Sequence, residues 1–274
     1  MTNRRLCILG AGNMGRALIG GLLRGGWRSE QLSVGESQSA ARALVAGDFG
    51  ISASADNHAA VAGASIVVLA VKPQDAATVL QPLAALLTAE RPLLISVAAG
   101  VRVAALESWC GQGVPVLRAM PNRPARVGAG ATGVYAPAAV GGEQRAAAER
   151  VLQALGEVFW VEAEGLLDVV TALSGSGPAY FFLLAELMAE AGTALGLESG
   201  MAQRLAAATL YGSGLLVRSG AGDLARLRQE VTSTGGTTEA ALRTLEAAGL
   251  RATVRAALNA ATQRGRELAA VRAS

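Results

Sequence analysis

From residue 5 to about residue 136 the chain alternates short apolar runs with stretches whose apolar residues recur at helical spacing. The strand candidates are Leu6–Leu9, Leu32–Val34, Ile51–Ala53, Ile66–Val71, Leu93–Val97 and Val114–Leu117, followed by Gly133–Tyr135. Between most of them lie segments such as the one carrying Met14, Leu18, Leu22 and Leu23, spaced for one face of a helix. Strands that alternate with helices join by right-handed crossovers into a parallel sheet with both faces covered. This half is therefore expected to be an α/β, doubly wound domain.

The second half has a different rhythm. After a Gly-Gly break at 141–142 and a helix to about Leu155, a last strand-like run, Val158–Val161, closes the first domain. From Glu164 onward the pattern is helical, with breaks near residues 175–178, 197–200, 219–222, 232–236 and at Gly249. The expected organisation is a dinucleotide-type domain over residues 1–162 and an all-helical domain over 163–274. Met201 to Val217 is nearly uncharged around its circumference, and a helix apolar all round needs burial on every side. A domain of about 110 residues leaves too much surface to bury several such helices alone, so a second copy is expected to cover them as a homodimer.

Composition narrows the function classes. Only 16% of the 274 residues are charged, against roughly 25% in an average domain, which also points to oligomerisation. A bilayer span needs about 20 consecutive apolar residues. The run from Val61 stops at Lys72, and the stretch from Pro178 to Leu197 is interrupted by Glu186 and Glu190, so no membrane association is expected. The start, Met-Thr-Asn-Arg-Arg, leads into a strand without a signal-peptide apolar region, and the expected location is cytoplasmic. The net charge of +3 is scattered, and aromatics make up 4%, so no nucleic-acid partner is expected. Cys7 and Cys110 form neither a disulfide framework nor a metal cluster, and no metal is expected. Lys72 is the only lysine and His58 the only histidine.

Residues 8–15 read Ile-Leu-Gly-Ala-Gly-Asn-Met-Gly, placing Gly10, Gly12 and Gly15 as G-x-G-x-x-G after the first strand and at the head of a helix. In a Rossmann domain the first glycine makes the tight turn, the second lets the backbone approach a pyrophosphate, and the third lets helix pack on strand. The helix N-terminus supplies N–H donors and partial positive charge. In a chain with 34 glycines the motif carries weight only because strand precedes it and helix follows. Glu36 lies 21 residues past Gly15, where an acid commonly holds the adenine ribose. That role favours NAD, whereas a solvated loop acid leaves NADP admissible, with Ser37, Arg42 and Asn57 nearby; both coenzymes stay open. Ala70-Val-Lys-Pro73 and Ser96-Val-Ala-Ala-Gly100 follow the fourth and fifth strands, at the strand ends where such sheets bind ligands.

Together, Ile8 to Gly15, Ala70 to Pro73, Ala98 to Val101, Arg118-Ala-Met-Pro-Asn122, Leu173-Ser-Gly-Ser-Gly-Pro-Ala-Tyr180 and Val231-Thr-Ser-Thr-Gly-Gly-Thr-Thr238 resemble the pyrroline-5-carboxylate reductase family. They span nearly the whole chain in the family's order, and the last two are far more specific than the glycine turn. The resemblance implies a Rossmann domain, a helical dimerisation domain forming an interlocked dimer that sometimes builds a decamer, and NAD(P)H-dependent reduction of 1-pyrroline-5-carboxylate to proline. It places the dinucleotide on Gly10, Ala11, Gly12, Asn13, Met14 and Gly15, on Glu36, Ser37 and Asn57, and on Ala70, Val71, Lys72, Pro73, Ala98 and Asn122. It places the substrate carboxylate on Ser233, Gly235, Gly236, Thr237 and Thr238, the ring nitrogen on the Thr238 hydroxyl, and Glu164 nearby.

The residues support that assignment. Ser233 to Thr238 opens a helix, so its first-turn N–H groups converge on one spot suited to a carboxylate. The plainer role for Thr237 or Thr238 is to cap that helix. Carbonyl reduction needs a proton donor, most often His, Lys or Tyr, yet no Lys or His occurs after residue 72. A cyclic imine binds already protonated, so hydride addition removes charge and orientation does most of the work. Three residues depart from the family: Thr234 stands where proline is usual, Arg123 where a small polar residue is, and Gln229 where an acid is common. Two alternatives stay open: a non-catalytic dinucleotide-binding regulator, and a β-hydroxyacid dehydrogenase-like reductase, whose relatives use a lysine that the helical half lacks.

Overall fold

The computed structural model describes residues 5–271; the start read above for a signal peptide falls largely in residues 1–4, outside the described residues. The chain forms two compact units, one built from the chain up to Gly175 and again from Ala261, the other from Ser176–Ala260.

The first unit begins β1 (Leu6–Leu9), α1 (Asn13–Arg24), β2 (Leu32–Gly35), α2 (Ser39–Phe49), β3 (Ala53–Ser54), α3 (Asn57–Val61) and β4 (Ile66–Leu69). It continues α4 (Ala76–Leu80), α5 (Ala84–Glu90), β5 (Leu93–Ser96), α6 (Val103–Cys110), β6 (Val116–Met120), β7 (Gly130–Tyr135), α7 (Gly142–Leu152), β8 (Gly156–Trp160) and α8 (Leu166–Val170). The eight strands make one sheet in the order β3-β2-β1-β4-β5-β6-β7-β8. β1 pairs in parallel with both β2 and β4, so the winding reverses there and opens a crevice at the strands' carboxyl ends.

The sheet differs from an all-parallel one at its far edge. β1 to β6 run parallel, whereas β7 is antiparallel to β6 and β8 parallel to β7. Residues 121–129, containing only a short 3-10 turn (Arg123–Val127), join β6 to β7. A parallel return needs a crossover of a dozen or more residues, so the chain must double back. α7 then supplies the crossover to β8.

Burial alternates along β1 because successive side chains face opposite sides of a sheet. Leu6 and Ile8 enter a core with Leu18, Ile19 and Leu22 of α1 and Val151 of α7. Cys7 and Leu9 enter the other with Leu80, Leu83, Leu87 and Leu106. Both faces are covered, which is why these strands read as continuous apolar runs. Burial pushes the Cys7 thiol up to about 12 and the Cys110 thiol up to about 11. Neither is therefore a thiolate at pH 8, and a disulfide reagent such as DTNB should label neither in native protein but both in guanidinium. Rapid native labelling of Cys7 would contradict this core.

The second unit holds α9 (Gly177–Ala194), α10 (Ser199–Arg218), α11 (Leu224–Glu230), α12 (Thr237–Ala247) and the first part of α13 (Leu250–Val271). α9 meets α10 through small residues, Ala189, Ala202 and Ala206 with Ala185 beside them. The larger side chains stay outside: Phe181, Phe182, Leu183, Leu187, Met188, Met201, Leu205, Leu215 and Leu216 are all exposed. The burial expected for the Met201–Val217 stretch is thus not achieved within one chain. The stretch Leu166–Ala194 is also long and apolar enough to cross a bilayer by length and composition, despite Asp168, Glu186 and Glu190 along it.

Candidate functional site

Six loops at the carboxyl ends of β1 to β6 carry the residues expected at the dinucleotide. Gly10 takes φ +99°, and a Cβ there would also press on the Ala70 carbonyl at 2.8 Å, so only glycine makes this turn. A Cβ on Gly15 would collide with the Gly10 carbonyl oxygen, which is the close helix–strand approach this position exists for. A Cβ on Gly12 would meet nothing within 4 Å; the backbone there faces open space. α1 starts at Asn13 with Gly12 as its cap and no side-chain capping bond, leaving its first-turn N–H groups for a ligand. These features fit a pyrophosphate.

The rim of this crevice is tied together by main-chain bonds, Gly10 N–H to the Gly35 carbonyl at 2.8 Å and Ala70 N–H to the Leu9 carbonyl at 2.7 Å. Glu36, directly after β2, accepts the Ala11 N–H on Oε2 at 2.8 Å and the Gln38 N–H on Oε1 at 2.8 Å. Ser37 lies beside it, and Asn57 opens α3 with its Oδ1 close over Gly35. Lys72 is exposed and stands before the 3-10 turn Pro73–Asp75, while Ala98 is buried at the end of the β5 loop.

Asn122, expected at the cofactor, spends both ends of its amide on the protein. Its nitrogen donates to the Ser174 carbonyl at 3.0 Å and its oxygen accepts the Ala131 N–H at 2.9 Å. Glu164, expected near substrate, sits in the sheet-containing unit and forms part of a charged network. Its Oε1 lies 2.8 Å from Arg118 and accepts the Val103 N–H at 2.7 Å. Arg102 meets Asp168 at 2.6 Å beside it. Arg118 and Asp168 are buried. Burial pulls the Arg118 guanidinium below its ordinary value, and the bond to Glu164 opposes that pull. The reading of the sequence missed this network, because Arg118 and Glu164 lie 46 residues apart and no local pattern links them.

The loop before α12 belongs to the other unit. Gly236 is the cap of α12, so Thr237 and Thr238 are its first two residues, and no side-chain capping bond is made. Neither threonine therefore plays the capping part left open above. Thr238 is half-buried, and among the described residues its hydroxyl has no hydrogen-bond partner. Gly235 takes φ +72°, and its N–H is held by the Glu239 carboxylate at 2.6 Å, while the Gly236 N–H donates to the Ser233 carbonyl at 3.0 Å. Two of the expected backbone donors are thus occupied, leaving those of Thr237 and Thr238 at the helix end. Glu239 was not among the expected residues, although an acid three places after a helix cap is a sequence signature. Gly177 starts α9 with Pro178 in its first turn, and Tyr180 is 38% exposed, outside any core of its own unit.

Comparison with known proteins covers nearly the whole chain. Residues 164–268 match the family described as pyrroline-5-carboxylate reductase dimerisation, and residues 5–100 match NADP oxidoreductase, coenzyme F420-dependent. The pyrroline-5-carboxylate reductase of Pseudomonas aeruginosa is 46% identical over 269 residues, 98% of each chain. The solved pyrroline-5-carboxylate reductase of Coxiella burnetii is 37% identical with a TM-score of 0.94, covering 97% of this chain and 99% of that one. The Plasmodium falciparum pyrroline carboxylate reductase, solved with NADP bound, is 27% identical with a TM-score of 0.83, covering 98% and 99%. With a relative at that identity along nearly its entire length, the chain belongs to the pyrroline-5-carboxylate reductase family.

Proposed function

We propose that this chain reduces the cyclic imine 1-pyrroline-5-carboxylate to L-proline with NADH or NADPH, the last step of proline biosynthesis. The observation that carries the proposal is family membership over 98% of the chain with the glycine turn intact in sequence and conformation. When bound, the dinucleotide supplies the hydride. Gly10 to Gly15 and the α1 N-terminus hold its pyrophosphate, Glu36, Ser37 and Asn57 its adenosine side, and Ala70 to Pro73 with Ala98 line the crevice. Asn122, held after β6 by its two amide bonds, completes that crevice.

The substrate carboxylate binds the Thr237 and Thr238 N–H groups at the start of α12. The Glu239 carboxylate seated on Gly235 supports this, since the loop already accepts an acid group. The Thr238 hydroxyl accepts the iminium N–H and fixes the ring. No side chain has to deliver a proton in the hydride step, because the imine nitrogen carries its proton from the outset. The test is the loss of nicotinamide absorbance with pyrroline-5-carboxylate and either coenzyme. Oxidation is the expected result; binding of coenzyme without turnover would instead assign the chain to the regulatory alternative.

The exposed apolar faces of α9 and α10 are covered by a second copy, in keeping with the dimerisation family matched over residues 164–268. We take the apolar stretch of α9 as part of this interface and not as a membrane span, with the enzyme working in the cytoplasm and dimers stacking further into a decamer. Light scattering on the purified protein without detergent should give at least twice the 27.6 kDa chain mass. A monodisperse monomer would overturn the assembly.

A further inference from the structure

We propose that Glu36 makes this chain an NADH-preferring enzyme by occupying, with a fixed negative charge, the place a 2′-phosphate would need. The inference rests on the dinucleotide site proposed above and names its coenzyme. Two main-chain donors hold the carboxylate from opposite sides, Ala11 N–H from the glycine turn and Gln38 N–H from the residue before α2, both at 2.8 Å. Such a group is not a freely swinging loop acid; it is anchored against the turn that binds the pyrophosphate. An acid at this place accepts the ribose hydroxyls and opposes a phosphate on the same ribose.

Two of the groups able to welcome a phosphate, Arg42 and Ser37, already have partners in the protein, while Asn57 stands beside them at the start of α3. Arg42 points its Nη1 at the carbonyls of Glu36 and Ser37, at 2.9 and 2.6 Å, and thereby braces the acidic loop. The Ser37 hydroxyl lies 3.5 Å from the Glu36 carboxylate and is directed to it. A dianionic phosphate brought within about 4–5 Å of the Glu36 charge would weaken binding by about tenfold or more even at near-aqueous screening.

Titration calorimetry with NADH and with NADPH on the intact protein, wild type and Glu36→Gln, tests this without relying on turnover. Wild type should bind NADH at least about tenfold more tightly than NADPH, and Glu36→Gln should narrow that ratio by about tenfold, chiefly through tighter NADPH. Glu36→Ser, which removes the charge and keeps a hydroxyl, should shift the ratio in the same direction. Equal or tighter binding of NADPH by wild type overturns the proposal, as does an unchanged ratio in both folded variants. Binding of neither dinucleotide would overturn the reductase assignment itself, an outcome distinct from a wrong preference.

Discussion

Thr238→Ala should lower kcat by about 100-fold while leaving coenzyme affinity unchanged. The hydroxyl is half-buried, it neither caps α12 nor bonds to any described residue, and the chain around it offers no lysine or histidine. Its removal therefore costs little stability and takes away the group proposed to set the angle of the imine. Losing the alignment of a reacting pair is worth about that factor. Because the neighbouring N–H donors survive the substitution, KM should rise far less than kcat falls. Thr238→Ser keeps the hydroxyl and should recover most of the rate. Stopped-flow rates at saturating imine check the point, and an alanine variant with wild-type turnover would remove Thr238 from the mechanism.

The second large effect is on stability. Glu164→Ala strips the carboxylate that pairs with the buried Arg118 and accepts the Val103 N–H, leaving a cation in the interior without its closest partner. Breaking a buried pair from one side costs about 3–5 kcal/mol. Glu164 keeps about a quarter of its side chain exposed, so the lower end applies, about 3 kcal/mol, or a fall in Tm of roughly 6–12 °C. Calorimetric melting measures it. Had Glu164 served only the substrate, the melting temperature would stay put and KM alone would move. Arg118→Leu with Glu164→Leu, which removes both charges, should recover part of the loss, since an apolar pair of similar size needs no partner.

Much of the fold was legible because local chemistry encodes it. The eight strands fall within a few residues of where the apolar runs place them, most clearly β1, β4 and β5, since a strand covered on both faces must be apolar throughout. Gly10 and Gly15 were readable because only glycine tolerates what the turn requires of each. The reversal of β7 lay hidden, for it depends on the length of one connection. The sequence did not reveal that the side chains of Glu164 and Asn122 take partners on distant strands and loops.

Local pattern alone settled the sheet-forming half, the glycine turn and the start of α12 after Gly236, since each is a property of neighbours in the chain. Three-dimensional folding decided which side chains remain available: it brought Arg118 to Glu164, set Glu36 between Ala11 and Gln38, and put Glu239 on Gly235. The reason is that a polar group leaving water must find a partner, and across 25 or 46 residues only the packed structure determines which one.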